Sequence, residues 1–179
     1  MEIEIEGKLI NLRKLKKSDA MSIYENVRDY DIARYTMIPY PYKLKGARDF
    51  IKATHQNIKR KKAFELGIEN KESKEIIGMM SLLNVDPDNR NAEIGYWLGK
   101  KYWGRKIMKE AVKLILNFGF MELKLVRIHA RVMHPNTTSA KLLEKSGFQY
   151  EGRMRKTVFR KGKWMDELRY SILKEEFKM

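Results

Sequence analysis

Apolar residues recur along this chain in two rhythms, one of two residues and one of about three and a half, and the switches between them lay out the elements. Ile3 and Ile5 alternate with glutamates, Gly7 turns the chain, and residues 8–13 read as a second, edge-like strand with Leu9 facing away from Ile10. Ser18 or Asp19 is placed to cap a helix in which Ala20, Ile23, Tyr24 and Val27 share one face, with its end expected near Tyr30. Residues 34–42 carry two prolines and several aromatic rings without a regular period, which predicts a loop. Ala47, Phe50, Ile51, Thr54 and Ile58 mark a further amphipathic helix, followed by the basic run Lys59-Arg60-Lys61-Lys62, where cations suit the C-terminal end of a helix dipole.

Residues 63–69 and 75–85 read as strands, and the turn Asp86-Pro87-Asp88-Asn89 leads to another at 92–99, predicting an antiparallel meander. The strongest helical period follows, with Ile107, Met108, Ala111, Leu114, Ile115 and Phe118 on one face. Residues 125–133 predict a strand, and Pro135-Asn136 opens a short helix that runs through Lys145 and stops at Gly147, a residue suited to a left-handed cap. Residues 148–159 and 164–173 predict a hairpin across Lys161-Gly162-Lys163. With no repeat or linker in view, residues 1–179 read as one domain.

Composition narrows the chemistry. Cysteine is absent, so neither a disulfide framework nor a thiolate metal site can form. His55, His129 and His134 are scattered singly and no HExxH pattern or Gly-x-Ser-x-Gly elbow is present, so no metal is expected. The charged, alternating N-terminus lacks an apolar run, which predicts a cytoplasmic protein without a membrane span. A formal charge of +15 favours anionic partners and leaves open RNA or the ribosome surface, an acidic protein, or a phosphorylated cofactor.

One stretch concentrates that charge. The strand Ala92-Glu93-Ile94-Gly95-Tyr96-Trp97-Leu98-Gly99 runs into a glycine-bearing basic loop and then into the helix that starts near Ile107. Free N–H groups at a helix start, the positive end of its dipole and adjacent Arg and Lys side chains together suit a phosphate. Lys101-Tyr102-Trp103-Gly104-Arg105-Lys106 resembles the pyrophosphate loop of the GNAT superfamily of acetyl-CoA-dependent N-acetyltransferases, Gln/Arg-x-x-Gly-x-Gly/Ala, with Lys101 in place of Gln or Arg and Lys106 in place of the second Gly or Ala. Asn136, Ser139 and Gly147-Phe148 meet every marked position of that family's second hallmark, and the run from Ala92 to Gly104 is similar to its ribosomal-protein N-terminal acetyltransferase branch.

The resemblance implies an α+β (mixed α/β) GNAT fold: a central, mostly antiparallel, partly splayed mixed sheet of about seven strands flanked by about four helices. It implies an acetyl-CoA site made by Trp97, Leu98, Lys101, Trp103, Gly104, Arg105, Lys106, Ile107, Asn136, Ser139 and Lys145, with the Asn136 amide on the pantetheine arm and Ser139 near the thioester sulfur. Acetyl transfer to an amine requires a base for the ammonium and a donor for the departing thiolate. Glu93 is the carboxylate in position for the first role, and Ser139 takes the second, because Leu143 stands where many members of the family carry a tyrosine. Tyr35, Tyr40, Tyr42 and His134 are candidates for the acceptor side, although the aromatic loop reads equally well as a plug over a core edge. The implied activity is acetyl transfer within a ternary complex to a primary amine, above all a ribosomal or other protein N-terminus, by a monomer or homodimer. Small amines such as polyamines or antibiotics, or a noncatalytic CoA- or RNA-binding module, are the alternatives.

Overall fold

The computed structural model describes residues 3–178, which form one mixed sheet with helices on both faces. In chain order the elements are β1 (Glu4–Glu6), β2 (Ile10–Arg13), α1 (Ala20–Val27), α2 (Tyr30–Arg34), α3 (Leu44–Lys59), β3 (Phe64–Asn70), β4 (Ile76–Asp86), β5 (Asn91–Leu98), α4 (Ile107–Asn117), β6 (Arg127–Met133), α5 (Thr137–Lys145), β7 (Gln149–Arg160) and β8 (Lys163–Leu173). Among the described residues there are thus eight strands, as many as the apolar periods mark and one more than the family resemblance implies, and five α-helices, one more than either. The additional helix is α2. The first helix stops at Val27 instead of reaching Tyr30, because Asp29 adopts an extended conformation and its carboxylate caps a new helix by accepting from Asp31 N at 2.8 Å. Asp19 precedes α1 as expected but does not cap it with its side chain. Its carboxylate is held instead by the Arg13 guanidinium, which also binds Glu69 in a buried cluster.

The strand order is β1-β2-β3-β4-β5-β6-β8-β7, antiparallel throughout except where β5 meets β6. β4 lies near the middle, and Ile76 through Leu82 are all buried there, because helices cover both sides. On one face Ile107, Ala111, Val112 and Ile115 of α4 pack on Leu82, Ile94 and Ile128. On the other, Ile23 and Val27 of α1 and Ala47 and Ile51 of α3 pack on Ile76 and Met79. Alternation along β5 assigns Ala92, Ile94, Tyr96 and Leu98 to the α4 face and Glu93 and Trp97 to the opposite one.

The single parallel pairing determines the site. β5 and β6 are in register only from Asn91–Arg127 to Glu93–His129, although β5 runs on to Leu98 and β6 to Met133. The far edge of each strand stays bonded, β5 to β4 and β6 to β8, so the sheet opens like a V with Glu93 at its apex. No helix among the described residues is long and apolar enough to cross a membrane.

Candidate active site

β5 delivers the chain into the basic loop through a tight turn at Lys100–Tyr102, whose Tyr102 is buried and over whose ring the Lys101 ammonium sits at 5.0 Å. Trp103 Nε1 donates back to Leu98 O at 2.8 Å, and Lys100 bonds Asp31 at 2.5 Å, so the loop is tied both to its strand and to α2. Gly104 and Lys106 then take left-handed conformations, with φ of +75° and +61°. A Cβ at Gly104 would meet nothing within 4 Å, so this glycine is required by its backbone angle and leaves open space above the loop. No side chain caps α4. The first N–H groups of an eleven-residue helix therefore face that space with Arg105, Lys106 and Lys109 beside them.

The V between β5 and β6 leads from there to the start of α5. Asn136 caps this helix by accepting from Ser139 N at 3.2 Å through its amide oxygen. Ser139 Oγ lies 2.8 Å from the hydroxyl of Tyr96. A cavity of about 580 Å³ joins these groups to the loop, lined by Tyr96, Trp97 and Leu98 of β5, by residues 102–109, by Asn136, Thr138, Ser139 and Leu142, and by Asp31, Ile32, Arg34, Tyr35 and Thr36 at its other end. A second cavity of about 610 Å³ adjoins it across Lys106 and Lys109 and continues between α4 and the end of α5 to Lys145 and Phe177. Unpaired strand edges suit an extended chain with amide groups, and uncapped helix N–H groups with three cations suit phosphates, so the residues present fit a coenzyme A ligand.

Glu93 lies outside the cavity lining, on the opposite face of β5 from Tyr96, and is nearly fully buried. Its carboxylate accepts from Arg131 Nε at 2.8 Å and from Asn84 Nδ2 at 3.3 Å. Arg131 reaches on towards Glu167 at 4.0 Å, and Arg169 bonds Glu167 at 3.0 Å, so a charged row crosses the open face of β5, β6 and β8. His129, next to Glu93, has its basicity lowered by burial and partly restored by that carboxylate.

Nine of the anticipated cofactor residues, Trp97, Leu98, Trp103, Gly104, Arg105, Lys106, Ile107, Asn136 and Ser139, line the first cavity together. Lys101 points away, onto Tyr102, and Lys145 lies in the second cavity. Among the acceptor candidates Tyr35 alone lines the first cavity. Tyr40 is exposed and stands edge-on to Tyr30 at 5.1 Å, and Tyr42 packs against the α1–α3 core, where burial raises its phenol pKa. His134 is exposed, its backbone N–H bonded to Asp166 O at 2.9 Å. Tyr96 and Lys109 are site residues that the motifs did not mark. The alternation that places Tyr96 on the core face with Ile94 was a usable signal, since a phenol at a core position needs a polar partner. Among the described residues no group of three or more His, Asp or Glu could hold a metal ion.

A parted parallel strand pair beside an uncapped basic helix start fits an acetyltransferase of the coenzyme A-dependent kind. Residues 10–149 match the family model described as Acetyltransferase (GNAT) domain, and the chain belongs to that family. It is 35% identical to an uncharacterised N-acetyltransferase, p20 of Bacillus licheniformis, over 94% of each chain. Among solved structures, the ribosomal-protein-S5-alanine acetyltransferase of Vibrio fischeri is 26% identical over 99% of this chain and 100% of its own, with a TM-score of 0.86. A ribosomal L7/L12 alpha-N-protein acetyltransferase in complex with coenzyme A has the same fold, at 19% identity and a TM-score of 0.87 over 96% of this chain and 98% of its own. The protein is therefore an N-acetyltransferase with the GNAT fold.

Proposed function

We propose that this enzyme, acting as a single unit over residues 1–179, transfers acetyl from acetyl-CoA to the α-amino group of a protein N-terminus, both substrates being bound at once. The observation that carries this reading is the V beyond Glu93, with Tyr96, Asn136 and Ser139 on one side of the sheet and the Glu93 carboxylate on the other. A donor and an acceptor can then approach the same point from opposite faces. The ribosomal-protein acetyltransferase of Vibrio fischeri, similar along the whole chain, supports the choice of acceptor.

Acetyl-CoA supplies a thioester whose carbonyl carbon is open to an amine. The residues of the chain do the rest. The α4 N–H groups with Arg105, Lys106 and Lys109 hold the pyrophosphate, and Lys145 extends the cationic wall along the second cavity. The free edges of β5 and β6 and the Asn136 amide orient the pantetheine arm. Glu93 takes the proton of the incoming ammonium through water, its carboxylate fixed by Arg131 and Asn84, and the Ser139 hydroxyl donates to the leaving sulfur. Tyr35 and Thr36 form the wall nearest the acceptor.

Incubation with acetyl-CoA and three acceptors, followed by mass spectrometry, tests the reading. The acceptors are a peptide with a free α-amine, the same peptide blocked at that amine but carrying lysine, and spermidine. Only the first should gain an acetyl group, and Glu93→Gln should slow that transfer by ~10²–10⁴-fold, with the deficit shrinking at high pH as the amine loses its proton unaided. Transfer to spermidine or lysine alone would sink the assignment of the acceptor.

A further inference from the structure

Thiolate departure requires a donor near the sulfur, and the phenol that many members of this family place on α5 is absent, since Leu143 is there and fully buried. A phenol on another element does line the cavity. Tyr96 stands on the α4 face of β5, packed against the larger core, and its hydroxyl contacts Ser139 Oγ at 2.8 Å inside the cavity. Each hydroxyl has a single hydrogen to give. The phenol is the more acidic donor of the two, and burial raises its pKa to about 12, so it keeps its proton across the working range of pH. If that proton goes to Ser139 Oγ, the serine must aim its own hydrogen elsewhere. Among the described residues Ser139 Oγ has no other hydrogen-bond partner than Tyr96, and the serine lines the cavity. A hydroxyl that accepts one hydrogen bond also donates a stronger one.

Resting on the acetyl-transfer reading, we infer that Tyr96 is a positioning residue: its hydroxyl donates to Ser139 Oγ and so commits the Ser139 hydrogen to the sulfur of the departing coenzyme A. In that step the carbon–sulfur bond breaks and its electron pair goes to sulfur. The Ser139 hydrogen bond stabilises the thiolate, and water supplies the proton afterwards. Both hydroxyls retain their own protons, so neither a buried phenolate nor an alkoxide is formed.

Unacetylated coenzyme A gives a readout independent of turnover. Its thiolate absorbs in the ultraviolet, and a pH titration of the complex yields the acidity of the bound thiol. The wild-type protein should raise the thiol's ionisation constant by about tenfold, one pKa unit. Tyr96→Phe and Ser139→Ala should each abolish most of that gain while coenzyme A still binds. The double variant should match Ser139→Ala, because Tyr96 acts only through the serine. In turnover, Tyr96→Phe should lower kcat by about tenfold and leave the KM for acetyl-CoA within about threefold, the pattern of an interaction made mainly in the transition state. That deficit should shrink with the acetyl-selenoester analogue, whose selenolate leaves without help. A wild-type thiol acidity in Tyr96→Phe, or a double variant worse than Ser139→Ala, would overturn the inference. Failure of the wild-type protein to bind coenzyme A would remove the acetyl-transfer reading itself, and it appears in the first titration before any variant is compared.

Discussion

Lys106 is a lysine where the backbone favours glycine. Its φ of +61° and ψ of 3° lie in the left-handed region, which costs a residue with a β-carbon roughly 1–2 kcal/mol. Its side chain lines both cavities, so the strain is offset if the ammonium meets a phosphate there. Lys106→Gly should therefore separate stability from binding. Relief of strain, reduced by the greater freedom glycine has in the unfolded chain, should raise the melting temperature of the ligand-free protein by about 1–3 °C. Coenzyme A affinity should fall severalfold at low salt and less at high salt, since exposed charges are screened. Tighter binding at every salt concentration would mean that the lysine is tolerated in the loop without being used.

At the scale of elements, the far half of the sheet is fastened by a carboxylate that spans three strands. Glu151 of β7 accepts two hydrogen bonds from Arg127 of β6, at 2.7 and 2.6 Å, and one from Ser171 of β8 at 2.7 Å. The Arg127 hydrogen bonds, aided by Ser171, pull its pKa down to about 2. A folded-state value below the unfolded one means that the contribution to stability is complete above the unfolded pKa, near 4.5, and is lost as pH falls towards 2. Because the pair is partly open to water, its contribution should not exceed ~1 kcal/mol. Melting curves of wild type and Glu151→Gln should differ by a constant amount from pH 7 to pH 5 and converge between about pH 4.5 and pH 2. A difference that persists at pH 2 would assign the effect to packing.

For the whole molecule, the V is a place where the sheet lacks its own hydrogen bonds, so a ligand bound there completes the fold as well as the active site. Binding only to the folded state adds RT ln(1 + [L]/Kd), about 2.7 kcal/mol at a hundredfold excess. For a chain of 179 residues that corresponds to a rise of roughly 5–11 °C in melting temperature. Coenzyme A and acetyl-CoA should both produce it, and the rise should diminish with salt because part of the attraction comes from the cationic loop. An unchanged melting temperature with either ligand would contradict the cofactor assignment.

Local signals settled much of this in advance. The apolar periods marked all eight strand segments and four of the five helices, because alternation and helical spacing are imposed by whichever face must be buried. Gly104, Asn136 and Gly147 were legible for the same kind of reason: a left-handed turn, an N-cap and a C-terminal stop at φ +93° are requirements of the chain within a few residues. Contacts between distant segments were not legible. Nothing in residues 92–99 or 136–139 says that Tyr96 and Ser139 meet, since that contact depends on how far β5 and β6 part. Lys101 and Lys145 have the right charge beside the right motifs, yet one turns onto Tyr102 and the other serves a neighbouring cavity. Glu93 shows the division most plainly: its place on β5 follows from alternation, whereas its ion pair with Arg131, 38 residues away, exists only because a parallel strand is laid beside it. The sequence by itself determined elements, faces and caps, which are short-range consequences of burial and backbone geometry. Tertiary structure alone decided which side chains share a cavity, because that depends on strand pairing between segments that carry no local trace of each other.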